Sequence, residues 1–235
     1  MPYRRLPNTD VARLRALKTA LEMVNNVSPK DLLYSQKLLL SIKAFVPIFE
    51  QSMEQYTTAR RMQIDMGKAV AETSRNARLY LSHFIQVFNM CIARGEIKPE
   101  MRDMLGLDDA TLPDISSDAQ LLEIGERVIA GEERRGAMGV GNRIYNPSIA
   151  VVKVKFSQFK ENYNKYRDII QTKEKHKEKF VSMREKADIL IVMLWNEIES
   201  SMQPIDTDEK RNICQQYGVV YVYRPMERQR AFLNF

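Results

Sequence analysis

The sequence predicts an all-α protein: a long up-down four-helix bundle made of two helical hairpins, with short peripheral helices and a small β annex near the C-terminus. Three observations predict it. Apolar residues recur every three or four positions over most of the chain, long stretches carry no glycine, and one strand-like run stands near the end.

Residues 11–24 open the pattern with Leu14, Leu17, Leu21 and Val24, the spacing of a helix with one buried face. Ser28, Pro29 and Asp31 then read as a helix start, with a serine N-cap, a proline at the first helical position and an acid at the third. The rod they announce has no glycine until Gly67 and carries Leu38, Ile42, Phe45, Phe49, Met53 and Tyr56 on one stripe. Pro47 falls inside it. A proline there removes the donor to the Lys43 carbonyl, so a kink or a division into two helices is expected.

A second rod covers residues 68–93, with Val70, Ala77, Leu81, Phe84, Phe88 and Cys91 on its stripe, and Arg94-Gly95 ends it. Pro99 starts a short helix to Leu105, residues 106–117 form a loop, and Ser117 with Gln120 is a capping signature for a helix from Asp118 to about Ala130. Residues 131–146 hold four of the nine glycines and no clean period, which marks a crossover connection.

Asn146-Pro147 opens the next rod, whose stripe runs Val152, Phe156, Phe159, Tyr163, Tyr166 and Ile170. The period resumes with Phe180, Met183, Ala187, Leu190, Leu194 and Ile198, across a charged stretch at 172–179. Taken literally this is one helix of about 55 residues and roughly 80 Å, which would leave its apolar stripe uncovered. A hairpin turning in the charged stretch is therefore expected, although no Gly or Pro stands there. Pro204 ends the last rod, Asp206 or Thr207 caps a short helix to Gln216, and Gly218 stops it.

The strand-like run is Val219, Val220, Tyr221, Val222 and Tyr223, closed by Pro225. A strand needs a partner for its backbone groups. The alternatives are residues 140–145 of the crossover, the same run in a second copy, another protein, or a covered irregular end. Beyond it, Arg224, Arg228 and Arg230 precede Ala231, Phe232, Leu233, Asn234 and Phe235, a tail that could dock on the bundle or serve as a short ligand.

The two halves resemble one another at an offset near 110 residues: Ile42, Phe49 and Ala77 fall on Val152, Phe159 and Ala187. A duplication would make residues 28–117 and 147–223 pseudo-repeats joined by a crossover at 118–146, within one helical domain of residues 1–235. It would also place the second hairpin turn at Lys177, 110 residues after Gly67.

Composition sets the class. With 44% hydrophobic and 28% charged residues the chain is ordinary globular material. No apolar run approaches a membrane span and no signal peptide is visible, so no membrane contact and a cytoplasmic location are the expectations. Cys91 and Cys214 read as reduced, buried thiols. The net charge of +6 lies in residues 131–185, where 13 Lys and Arg face 7 Asp and Glu. Such a patch attracts polyanions or acidic partners.

Most chemistry fails on spacing. A di-iron bundle needs Glu three residues before His, and here Tyr80 precedes His83 and Lys173 precedes His176. The two Cys and two His lack zinc spacing, and the glycine-rich crossover lacks the Gly-Lys-Ser/Thr of a phosphate loop. No cofactor or metal is therefore expected. Two weak anion features remain. One is the crossover with Arg134, Arg135 and Arg143; the other is the basic rod of residues 153–179, where Lys153, Lys160 and Arg167 fall seven apart on one face. Much of that rod can be spent on intrahelical pairs such as Glu161 with Lys165 and Glu174 with Lys177. Tyr163 and Tyr166 follow the core period, which favours packing over base stacking.

The resulting expectation is a non-enzymatic interaction or scaffold protein with an unspecified protein partner or self-association. Sequence-independent nucleic-acid binding through the basic rod is the first alternative. A small-ligand site or enzyme with a pocket between the long helices, around His83 or Tyr80, is the second.

Overall fold

The computed structural model describes residues 3–202 and 207–223. Pro204, Asp206, Pro225, Arg224, Arg228, Arg230 and the run 231–235 lie outside the described residues, as does the Thr207 side chain. The elements in chain order are β1 (Tyr3–Arg4), α1 (Asp10–Met23), α2 (Gln36–Ala93), α3 (Met101–Leu105), α4 (Asp118–Ala137), α5 (Ile149–Ser200), α6 (Thr207–Gln216) and β2 (Tyr221–Val222). The all-α class, the short peripheral helices and the β annex are those the sequence predicts. Among the described residues, no helix is long and apolar enough to cross a membrane.

The rods differ in how they are joined. Both hairpins are replaced by single helices, α2 of 58 residues and α5 of 52. Pro47 stays inside α2 because it and Lys43 face solvent, where water can satisfy the carbonyl that the proline leaves without a donor. The charged stretch 172–179 continues α5 because Lys and Glu are good helix formers and pair locally, Glu174 with both Lys173 and Lys177. No residue from 160 to 179 is buried, so the stretch interrupts the apolar stripe without interrupting the helix.

The start of α2 also moves. Ser28 and Pro29 form a turn, with the Asp31 N–H donating to the Ser28 carbonyl at 2.9 Å. Ser35 instead caps the helix, its Oγ accepting from the Leu38 N–H at 3.3 Å. At α4 the Ser117/Gln120 capping box is present as predicted, but the helix runs on to Ala137 through Gly131 and Gly136. Gly131 is required there: a Cβ would stand 2.2 Å from the Met104 carbonyl oxygen, so its absence lets α3 and α4 pack backbone to backbone.

The chain forms two compact units, one of residues 1–59 with 173–235, the other of residues 60–172. Each takes rods from both α2 and α5, and in each the two rods run antiparallel. In the first unit Phe49 and Tyr56 of α2 pack on Phe180 of α5 at ring-centroid distances of 5.5 and 5.7 Å, while Ser35 meets Glu197. Its core gathers Leu17, Ile42, Ile191, Leu194, Trp195 and Tyr217. In the second unit Thr73 meets Asn162 and Gly67 lies against Tyr166. Its core gathers Leu81, Phe84, Phe88, Val128, Phe156 and Phe159. Each such side chain is worth about 1.5–3 kcal/mol relative to exposure.

Residues 81–90 and 191–200 pass through the same order of buried, half-buried and exposed positions, ten for ten. Residues 41–50 and 151–160 agree at all but the last position. Both pairs are separated by 110 residues.

The strand-like run finds a partner the sequence did not indicate. β2 pairs antiparallel with β1, Tyr3 opposite Val222 and Arg4 opposite Tyr221, and the Arg5 N–H donates to the Val220 carbonyl at 2.8 Å. The alternative of pairing with residues 140–145 is not taken; Tyr145 instead bridges to Ser148. β1 is fastened by Arg4, whose guanidinium donates to Asn196 at 2.8 Å and Glu199 at 3.1 Å and lies 5.9 Å from the Trp195 ring centroid. Tyr221 donates its hydroxyl to the same Glu199 at 2.6 Å.

Candidate functional site

The anion-gripping arginines of the crossover do different work from one another. Arg135 is 1% exposed and forms a two-pronged pair with the equally buried Glu132, at 2.7 and 2.6 Å. Its remaining donors reach the Val140 carbonyl at 2.5 Å and the Asn142 carbonyl at 3.1 Å. Two of its donors thus go to Glu132 and two hold the turn in which Gly139 and Gly141 adopt positive φ. Arg134 is exposed and donates to the Ala130 and Met104 carbonyls. Only Arg143 faces a depression, about 300 Å³ in volume, together with Tyr145, Ser148 and the carboxylate-bearing Glu133.

The basic face of α5 is matched by acids of α4. Lys153 pairs with Glu133 at 2.5 Å and Lys160 with Glu126 at 2.7 Å. The seven-residue spacing on one helix meets the same spacing on the other. Arg167 is exposed and has no ion pair among the described residues, because α4 begins at Asp118 and offers no acid one further turn pair along. Lys165 with Glu161 and Lys177 with Glu174 form as the sequence predicts. Tyr163 and Tyr166 pack against the second core, whereas Tyr145 is 81% exposed.

His83 is exposed and Tyr80 half-buried. Among the described residues no three His, Cys, Asp or Glu side chains are grouped as metal ligands. Burial raises the pKa of both thiols, Cys91 and Cys214, which keeps them protonated.

A further concavity lies in the first unit, away from the residues that the sequence singles out. It is an open groove of about 510 Å³ between residues 5–8, one face of α1 and residues 218–220. Small residues contribute to its lining: Ala12 and Ala16 of α1, and Gly218, which lies against Ala16 and whose φ of +88° would strain any other residue. Leu6 and Val220 stand on its rim, 45% and 47% exposed. Arg5 and Arg15 also line it, and both are exposed. The other cations of α1 are matched, Arg13 with Asp188 at 2.7 Å and Lys18 with Glu50. Arg5 and Arg15 have no acidic partner among the described residues, and the lining holds no carboxylate, imidazole or thiol.

Two signals pointed toward this groove without defining it. The strand-like run was visible, and so was the apolar face of α1. The groove needed the pairing of the chain's first residues with residues near its end, which local spacing does not encode.

No protein-family model, curated protein or solved structure matches the chain.

Proposed function

We propose that the protein is a non-enzymatic interaction protein, a scaffold whose helical units hold a recognition surface for a protein partner. The observation that carries this reading is the groove at Arg5 and Arg15: it combines apolar rim, small lining residues and unmatched charge, and its lining holds no carboxylate, imidazole or thiol to serve as acid or base. Recognition needs the first set of features; catalysis needs the second. The pairing of Lys153 and Lys160 with α4 acids supports a protein partner over a polyanion, because two of the three aligned cations are already neutralised.

The shared burial order at an offset of 110 supports descent of the two halves from one duplicated helical segment. In this reading the long helices are the inherited frame, and recognition lies in the segments added around it.

The experiment is fluorescence anisotropy of a labelled generic oligonucleotide at two salt concentrations, beside light-scattering mass across protein concentration. The expected result is no oligonucleotide binding at micromolar protein. Salt-sensitive binding that is lost on Lys160→Glu and Arg167→Glu would move the function to the basic rod.

A further inference from the structure

We infer that the groove of the first unit takes an acidic, apolar peptide segment of a partner protein, laid along α1 between Arg5 and Arg15. The inference rests on the interaction reading above and adds the location and the chemistry of the partner.

Charge selects the sign. Arg5 and Arg15 both line the groove, both are exposed, and neither meets an acid among the described residues, while Arg4, Arg13 and Lys18 around them are each paired. A cationic, unneutralised rim favours carboxylates and speeds their encounter. Shape selects an extended chain over a folded knob. Ala12, Ala16 and Gly218 in the lining carry little or no side chain, and the walls at residues 5–8 and 218–220 are irregular backbone. The Leu6 N–H makes no backbone hydrogen bond among the described residues, so that wall offers a main-chain donor to a peptide. Leu6 and Val220 then supply apolar contact for alternate side chains.

The chain's own residues 224–235 are a poor occupant by the same rule. They carry three arginines and one glutamate and would bring like charge to Arg5 and Arg15. A second copy of the chain would have to present acidic, apolar residues of its own.

The test has two arms on the full chain. In the first, benzoylphenylalanine replaces Leu6 and the protein is irradiated alone. The expected result is no adduct; a crosslink to residues 224–235, or a dimer band, would assign the groove to one of those occupants and overturn the proposal. In the second arm, random twelve-residue peptides displayed on phage are selected on the wild-type protein, and enriched peptides are titrated by anisotropy. Enriched peptides are expected to interleave Asp or Glu with apolar residues. Arg5→Glu and Arg15→Glu, both exposed and checked for folding by circular dichroism, should each weaken binding about tenfold. Failure to enrich acidic peptides, or undiminished binding to the double variant, would refute the groove. If such peptides bind elsewhere on the protein, the interaction reading survives and the location does not.

Discussion

Arg135 and Glu132 form a bidentate ion pair whose side chains are 1% and 6% exposed, one turn apart on α4. A pair so placed is costly to break, because removing one partner strands a desolvated charge. Arg135→Ala should therefore destabilise the protein by about 3–5 kcal/mol, through both the stranded Glu132 and the lost contacts to the Val140 and Asn142 carbonyls. Glu132→Leu combined with Arg135→Met should cost less than the single change. Urea unfolding of the three proteins checks the order, and equal costs would show that the pair itself is not what holds the turn.

Glycines of α4 separate by what surrounds them. Gly131→Ala puts a Cβ 2.2 Å from the Met104 carbonyl oxygen and 2.7 Å from the Leu105 Cα, atoms that cannot rotate away. A loss of about 1–3 kcal/mol is expected. At Gly136 no heavy atom lies within 4 Å of the new carbon. Gly136→Ala should be neutral or stabilise by about 0.5–1 kcal/mol, since alanine costs less backbone entropy in a helix. Thermal unfolding of the two variants reads the contrast directly.

Tyr34 gives a pH dependence with a definite sign. Its hydroxyl donates to the Ala20 carbonyl at 2.7 Å, and burial, with Tyr217 beside it, pushes its pKa up to about 12. The unfolded phenol ionises near pH ~10. The folded state thus keeps a proton that the unfolded state gives up, so this contribution to stability is whole below pH ~10 and is lost as pH rises from there toward about 12. The stability difference between wild type and Tyr34→Phe should shrink over that range in urea titrations. A difference that stays constant would remove the buried phenol from the account.

Much of the fold was legible in the sequence because helix periodicity is local. The stripes through Leu81, Phe84 and Phe88, and through Leu194 and Ile198, became the two cores, and Ser117 with Gln120 closed its capping box. The continuity of α5 is not legible, because whether the stripes on either side of the charged stretch 172–179 are covered depends on tertiary packing, and in the structure that stretch has only exposed and half-buried residues. The partners of the anion candidates are only partly local. Whether Lys153 is free depends on Glu133 across the contact of α4 with α5, a tertiary fact, whereas the Arg135–Glu132 pair lies three residues apart within α4. The groove was illegible because its two walls lie about two hundred residues apart.

Helix continuity at 172–179 is itself testable. Hydrogen exchange should find these amides protected as a helix interior, slower than the turn at residues 24–35. Free exchange there, with protection on both sides, would restore the hairpin.

The proposed function places a protein partner in the groove at Arg5 and Arg15. Its most direct test is photo-crosslinking in extract of the native cell from benzoylphenylalanine at Leu6, with Met138, an exposed position of the other unit, as control. A discrete protein adduct from Leu6 is expected, mapped to an acidic, apolar segment, absent from Met138 and abolished by Arg5→Glu with Arg15→Glu. Equal labelling from both positions, adducts indifferent to the arginines, or adducts only to nucleic acid would contradict it.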